Sequence, residues 1–168
     1  MTRLAGAFLL AAACLGAGML AAQRLRGRVR LLRQFEGALE RMERELSYTA
    51  TELPELLEKL SGPDGAGAFF RACAQGLRGP DRPPLRRLWH EGLRRLPVPL
   101  REGELELLEE AGHILGQYDS AGQCAALKRI RGELAVARRD AELERDRLTR
   151  VYCTVGGTAG LFLMILLS

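Results

Sequence analysis

The sequence predicts an all-α protein: a helical bundle of about six helices whose long first and last helices extend into transmembrane segments. Apolar residues recur every three or four positions through the middle of the chain, and no stretch alternates with the period of two that marks a strand. Leu, Glu, Arg and Ala dominate this middle part, whereas Ile, Val and Thr are few. Both ends of the chain are apolar and almost uncharged, which is typical of membrane helices.

The first apolar segment, residues 4–22, is uncharged and long enough to span a hydrocarbon core as a helix. Five arginines follow it: Arg24, Arg26, Arg28, Arg30 and Arg33. Because such a cluster resists translocation, we expect a retained anchor with the following residues in the cytoplasm. An exported or lipid-anchored helical binding protein is the alternative, since residues 11–14 resemble a lipoprotein cleavage box with Cys14 as the acylated residue.

The last 49 residues, 120–168, contain no proline and predict one helix roughly 70 Å long. An arginine-rich amphipathic run passes into a second apolar segment, residues 151–168, about 27 Å in length. Arginines again precede it, at positions 138, 139, 145, 147 and 150. The same charge rule predicts a hairpin, with residues 23–150 as a cytoplasmic helical domain and both termini on the opposite side of the membrane.

Between the apolar ends, short helices with brief connections favour an antiparallel bundle. The predicted short helices cover residues 52–60, a span around 69–77, residues 85–96 and residues 105–115. The first long helix carries the apolar stripe Leu25, Val29, Leu32, Phe35, Leu39, Met42 and Leu46. We expect its middle part, Leu32, Phe35, Leu39 and Met42, to face Leu127, Ile130, Leu134, Ala137 and Ala141 of the last helix.

Residues suited to catalysis are scarce, and the chain is predicted not to be an enzyme. The two histidines, His90 and His113, lie on different predicted helices without a partner at metal-ligand spacing. The four cysteines, Cys14, Cys73, Cys124 and Cys153, form no Cys-x-x-Cys pair. No glycine-rich loop joins a strand to a helix as in nucleotide-binding proteins, so no metal, cofactor or catalytic residue is predicted.

The charged residues are typical of solvated helix faces. The net charge is +4, and Lys59 and Lys128 are the only lysines among the 25 basic residues. A nucleic-acid partner is not predicted, because aromatic residues for base stacking make up only 5% of the chain. Two runs of charged residues have a second interpretation, as contact surfaces. The glutamates of residues 102–110 could meet a basic partner, and the arginines of residues 86–95 could meet acidic lipids or an acidic protein surface.

Several segments together resemble a known family. Residues 39–57 read LERMERELSYTATELPELL, residues 115–119 read LGQYD, and residues 123–127 begin the last helix, which passes through the charged run 137–150 into the terminal apolar segment. This layout resembles stage III sporulation protein AB of endospore-forming bacteria over nearly the whole chain. Residues 62–99 match in pattern only.

The resemblance implies a membrane component, in the mother-cell membrane facing the forespore, of the channel complex that connects the two cells. The family's soluble domain is similar to the helical domain of type II secretion F proteins and pilus platform proteins, which sit beside a cytoplasmic secretion ATPase. The implied role is a non-enzymatic scaffold that docks this ATPase and other channel subunits, and the family supplies no catalytic residues.

Six residues are candidates for structural or partner contacts. The resemblance points to Tyr48 and Pro54 in one connection and to Gly116 and Asp119 in another. The spacing of Gly156 and Gly160 predicts a small-residue face on which another membrane helix, including that of a homo-oligomer, can approach closely.

Overall fold

A computed structural model of the full chain describes residues 2–48, 52–63, 65–80, 82–115 and 120–167. For residues 2–21, 120–121, 149, 152–153 and 155–167 it describes the helical backbone alone. The predicted candidates Gly116 and Asp119 lie outside the described residues, and Gly156 and Gly160 are described only as part of a helix.

The described chain forms six α-helices, which confirms the predicted all-α bundle. They are α1 (Thr2–Tyr48), α2 (Leu53–Lys59), α3 (Gly65–Arg78), α4 (Leu85–Arg94), α5 (Glu102–Ile114) and α6 (Ser120–Leu167). Helix α1 runs without a break from Thr2 to Tyr48, and Ser120 begins α6 as expected.

Three helix ends differ from the prediction by a few residues, each for a local reason. Helix α2 begins after Glu52, whose backbone is extended, with Pro54 in the first turn. Helix α4 stops at Arg94, short of the predicted residue 96, because a residue that precedes a proline such as Pro97 disfavours the helical conformation. Helix α5 begins at Glu102, three residues early, because the Glu104 carboxylate accepts a hydrogen bond from the backbone N–H of Arg101 at 2.8 Å.

The predicted transmembrane segments fall largely on residues whose side chains are not described. Within the described part of the chain, no helix is both long enough and apolar enough to cross a membrane. The backbone of residues 4–21 and 155–167 is helical.

Contacts divide the chain into two compact units. The bundle unit comprises Arg28–Arg139, and the terminal unit comprises Met1–Gly27 with Asp140–Ser168. In the terminal unit Ala141 is buried, Leu143 and Val151 are exposed, and Arg145 pairs with its neighbour Asp146 at 2.7 Å.

In the bundle unit, α1 and α6 run antiparallel with a defined register. Glu36 accepts a hydrogen bond from Arg138 at 2.7 Å, and the Glu43 carboxylate lies 3.3 Å from Arg131 Nε. The two acids are seven residues apart on α1, and the two arginines are seven apart on α6 in the reverse direction, as one heptad of an antiparallel pair requires. The predicted stripes are both buried here: Leu32, Phe35, Leu39 and Met42 on α1, and Leu127, Ile130 and Leu134 on α6. Ala137 is half-buried.

Four aromatic rings from three helices form the centre of the bundle unit. Phe35 of α1 meets Phe69 and Phe70 of α3 with ring centroids 5.4 Å and 5.7 Å apart, and Phe69 meets Trp89 of α4 at 4.8 Å. Each of these pairs has the edge-to-face geometry that the ring quadrupoles favour. The cluster therefore ties the short helices to the long one.

Glycines set how closely the short helices approach Trp89 and Phe69. A Cβ at Gly112 of α5 would lie 2.5 Å from the Trp89 ring, and one at Gly92 of α4 would lie 2.8 Å from the Phe69 ring. The Trp89 indole N–H donates to the backbone carbonyl of Leu108 at 2.7 Å, so the ring is both buried and hydrogen-bonded. A larger residue than glycine at either position would displace a ring.

Candidate interaction surfaces

A buried ion pair positions the start of α5 on α1. Arg28 and Glu104 are the buried charged residues of the described core, and the Arg28 Nη2 donates to Glu104 Oε1 at 2.5 Å. The Nε of Arg28 lies 3.1 Å from both carboxylate oxygens. Because Glu104 also accepts the Arg101 N–H, one carboxylate caps α5 and holds it against α1.

The sequence predicted other roles for Arg28 and Glu104, although their spacing along the two helices contains a signal for the buried pair. Arg28 was expected among the arginines that fix membrane topology, and Glu104 in a solvated acidic run. In spacing, however, Leu25, Arg28 and Leu32 follow the three-four pattern of the α1 stripe. Glu104, Leu108 and Ala111 do the same on α5. Opposite charges at otherwise apolar stripe positions on two helices indicate a buried pair.

Ion pairs at the surface join the remaining helices. Lys59 of α2 pairs with Glu45 of α1 at 3.0 Å, and Arg78 of α3 pairs with Glu58 of α2 at 3.4 Å. Arg129 of α6 donates to Glu110 of α5, and to Glu133, and these bonds raise the pKa of its guanidinium. Part of the predicted acidic run thus has partners within the chain and is not a free acidic face.

An open groove of about 530 Å³ lies between the start of α2 and the end of α3. We call it the α2–α3 groove, and its lining residues are Glu52, Pro54, Glu55, Leu77, Arg78 and Arg82. It joins acidic residues, basic residues and a half-buried leucine. Arg82 has φ of 35°, which is unusual for a residue other than glycine and is found where surrounding structure or function holds it.

The predicted candidates of the first connection lie at this end of the bundle unit. Tyr48 is the last residue of α1 and is 89% exposed, and Pro54 lines the α2–α3 groove. Leu77 and Arg82 were not predicted, because nothing in their sequence context marks the end of α3 as facing α2. Of the six predicted candidates, Tyr48 and Pro54 are the two whose surroundings the structure describes.

Both histidines of the chain line one shallow pocket between α4 and α5. His90 Nδ1 lies 2.6 Å from Glu109 Oε1, and His113, Arg86 and Glu110 line the same pocket. Among the described residues, no group of three or more His, Cys, Asp or Glu side chains is arranged to hold a metal ion. The pocket therefore places a contact between a histidine and a carboxylate at the surface of the bundle unit.

Cys73 lies in the core beside Gly92. Its side chain is 1% exposed, and burial raises the pKa of the thiol to about 12. Cys124 is half-buried, with its sulfur 3.4 Å from the Ser47 hydroxyl. A protonated thiol without access to solvent is a poor nucleophile, so Cys73 acts in packing.

Fold and surfaces together define an all-α protein built on a long antiparallel helix pair, whose described part presents surfaces for contact. The family model of Stage III sporulation protein AB matches residues 3–168. The chain belongs to this family of sporulation proteins.

Two comparisons agree with the family assignment. Stage III sporulation protein AB of Bacillus subtilis (strain 168) is 28% identical over 174 residues, covering 99% of each chain. A solved structure of Stage III sporulation protein AB (SpoIIIAB) matches with a TM-score of 0.64 and 24% identity, over 72% of this chain and 98% of that chain. At 24% identity, the similarity to this solved structure supports the fold alone.

Proposed function

We propose that this stage III sporulation protein is a non-enzymatic membrane scaffold of the channel complex between mother cell and forespore, and that it docks a cytoplasmic secretion-type ATPase. The observation that carries the proposal is the family match over residues 3–168, which includes both apolar ends as well as the bundle. The proposed location is the mother-cell membrane facing the forespore, with residues 23–150 in the cytoplasm and both termini on the opposite side.

The α2–α3 groove is the proposed contact for the ATPase. Leu77 supplies apolar area, and Glu52 and Arg82 are exposed with no ion pair to any other described residue. Unpaired charges around an apolar floor resemble the polar rim and apolar centre of protein interfaces. Tyr48, an exposed aromatic residue at the same end of the bundle unit, is of the type that contributes strongly to binding.

Orientation is tested with a membrane-impermeant thiol reagent on introduced cysteines, in intact non-sporulating cells that express the chain. Gln75 is exposed on α3, so Gln75→Cys, in a chain without its native cysteines, is expected to stay unlabelled until the cells are opened. Thr2→Cys is the control and is expected to label in intact cells. Rapid labelling at position 75 in intact cells contradicts the cytoplasmic orientation and favours the exported, lipid-anchored alternative.

Docking is tested by capture of the full chain, in detergent at low salt, with a secretion-type ATPase of the same cell. We expect Arg82→Glu and Leu77→Asp to weaken capture by about tenfold or more, because each affects the groove. Arg71→Glu, an exposed arginine of α3 outside the groove, is the matched control and is expected to bind as the parent does. Failure of the parent chain to bind rejects the ATPase role, whereas equal binding by all variants rejects the groove.

A further inference from the structure

The connection between α4 and α5 has a composition unlike the other described connections of the bundle unit. Its residues 96–100 read Leu-Pro-Val-Pro-Leu, with no charged or polar side chain. The two prolines are exposed, and the other three residues are half-buried. We call this segment, residues 96–100, the α4–α5 loop.

Exposed arginines bracket the α4–α5 loop on both sides. Arg94 and Arg95 precede it and Arg101 follows it, whereas Glu102 is the nearest exposed acid along the chain. Neither Arg94 nor Arg95 has a carboxylate partner among the described residues. The local balance of residues 94–103 is therefore three positive charges against one negative charge.

Two bonds hold the loop at the end of the bundle unit where α1 enters it. Arg101 donates its backbone N–H to Glu104 at 2.8 Å, and Glu104 is paired with Arg28, the first residue of the bundle unit. Arg28 is six residues beyond Ala22, the end of the predicted apolar segment, which is about 9 Å along a helix axis. Lipid headgroups occupy roughly the first 5–8 Å beyond the hydrocarbon core, so this end of the bundle unit is close to them if residues 4–22 span the membrane.

The chemistry of the loop suits an interface with lipid. Two of its five residues are prolines and carry no backbone N–H, which leaves fewer donors to desolvate on contact with acyl chains. The apolar side chains enter the boundary between headgroups and acyl chains, and guanidinium groups beside them attract anionic lipids. An acidic protein surface would satisfy the arginines but gives no reason for five consecutive uncharged residues between them.

We propose that the α4–α5 loop, with Arg94, Arg95 and Arg101, is a membrane-contact site that inserts its apolar residues among anionic phospholipid headgroups. This inference rests on the proposed membrane anchoring. It adds a third point of membrane attachment to the two predicted membrane helices.

The test uses the full chain, without its native cysteines, in nanodiscs that contain phosphatidylglycerol, and again in nanodiscs of phosphatidylcholine alone. An environment-sensitive fluorophore on Val98→Cys reports contact with lipid, and spin-labelled lipids quench it at the headgroup boundary. The control carries the fluorophore on Gln75→Cys, an exposed position of α3. We expect a blue shift and quenching at position 98 in the anionic nanodiscs, and neither at position 75.

Replacing Arg94, Arg95 and Arg101 by glutamine is expected to lower the lipid-bound population of the loop on the order of fivefold for each arginine. Arg41→Gln, Arg71→Gln and Arg86→Gln together make the same change in charge at exposed positions outside the loop and are expected to leave the quenching unchanged. Loss of quenching in both triple variants would show a general charge effect and overturn the inference.

The two proposals fail in different ways in this experiment. A chain that does not enter nanodiscs contradicts the membrane scaffold itself. A chain that inserts but shows no quenching at position 98 overturns the loop contact alone, and so does a blue shift that appears only after an acidic protein is added.

Discussion

Arg28 and Glu104 show how much a single pair of residues contributes to the placement of α5. Both are buried, and each provides the other's charge partner. A buried ion pair adds little net stability compared with apolar residues, yet removal of one partner leaves an uncompensated charge. The pair therefore selects one register of α5 on α1 more than it stabilises the fold.

Arg28→Met is expected to lower the free energy of unfolding by about 3–5 kcal/mol, because Glu104 then remains buried and unpaired. Adding Glu104→Gln is expected to recover most of this loss, since a neutral glutamine still accepts the Arg101 N–H. Denaturation of the parent chain, the single variant and the double variant in detergent, followed by circular dichroism, measures both effects. Glu40→Ala, at the exposed Arg44–Glu40 pair, is the control and is expected to lower the free energy of unfolding by less than about 1 kcal/mol. A double variant that is no more stable than Arg28→Met would contradict the role of the buried pair.

Gly112 and Gly103 of α5 offer a matched test of packing around the tryptophan. Gly112→Ala is expected to destabilise the bundle unit by about 1–3 kcal/mol and to shift the emission of Trp89, because the new Cβ would meet its ring. Gly103 lies in the same helix, and a Cβ at this position would point into open space with nothing within 4 Å. Gly103→Ala is therefore expected to be neutral or stabilising. Unchanged emission and stability for Gly112→Ala would mean that α4 and α5 do not approach as closely as described.

Burial of Cys73 predicts both slow labelling and a pH dependence. Because its pKa in the folded state is about 12, above that of an exposed thiol near 8.5, its contribution to stability is complete below pH about 8.5 and is lost as the pH rises through 12. In chains that retain one cysteine each, Cys73 is expected to react with a thiol reagent at pH 8 only after denaturation. Cys124, which is half-buried, is expected to react in the folded protein, and fast labelling of Cys73 would contradict its burial.

At the scale of the helix, the register of α1 against α6 is the feature that organises the bundle unit. Sequence periodicity was sufficient to predict the facing stripes, since Leu32 and Phe35 on α1 and Leu127 and Ile130 on α6 are all buried. Helix ends were less accessible to prediction, because they depend on contacts such as the Glu104 cap that join residues distant in sequence. For the same reason the α2–α3 groove was not predicted: only the packed structure brings Leu77 to Pro54.

A disulfide tests this register directly. Ser47→Cys is expected to form a bond with Cys124 under mild oxidation, because the Ser47 oxygen lies 3.4 Å from the Cys124 sulfur. Tyr48→Cys, one residue further along α1 and fully exposed to solvent, is the control and is expected to stay reduced. Mass spectrometry of peptides distinguishes the outcomes, and cross-linking at position 48 in preference to 47 would require a different rotation of α1.

At the scale of the whole molecule, the arginines that flank the apolar segments no longer form one class. Arg28 is paired with Glu104 in the core, and Arg138 is bonded to Glu36. Several others remain exposed, including Arg24, Arg26, Arg30, Arg139, Arg147 and Arg150. Charge alone does not distinguish the paired arginines from the exposed ones, because the burial of each arginine depends on its position relative to the apolar stripe of its helix.

Replacing the six exposed arginines by glutamine is expected to give a mixed orientation of the chain, since positive charges near membrane helices keep a segment in the cytoplasm. Labelling of Gln75→Cys in intact cells measures the fraction that is inverted. Arg71→Gln, Arg86→Gln and Arg87→Gln together remove charge far along the chain from either apolar segment and outside the α4–α5 loop, and are expected to leave the orientation unchanged. A uniform orientation in the first variant would contradict the charge rule for this chain.

The bond between Glu36 and Arg138 joins residues that are 102 positions apart. A ribosome that adds about 5–20 residues per second needs roughly 5–20 s to pass from the first of them to the second. Throughout that interval the apolar stripe of α1 lacks α6, although Phe35 can already contact Phe69 and Phe70 of α3. Part of the apolar stripe of α1 therefore lacks its partner in every newly made chain until α6 is complete, and transiently exposed apolar surface of this kind favours aggregation.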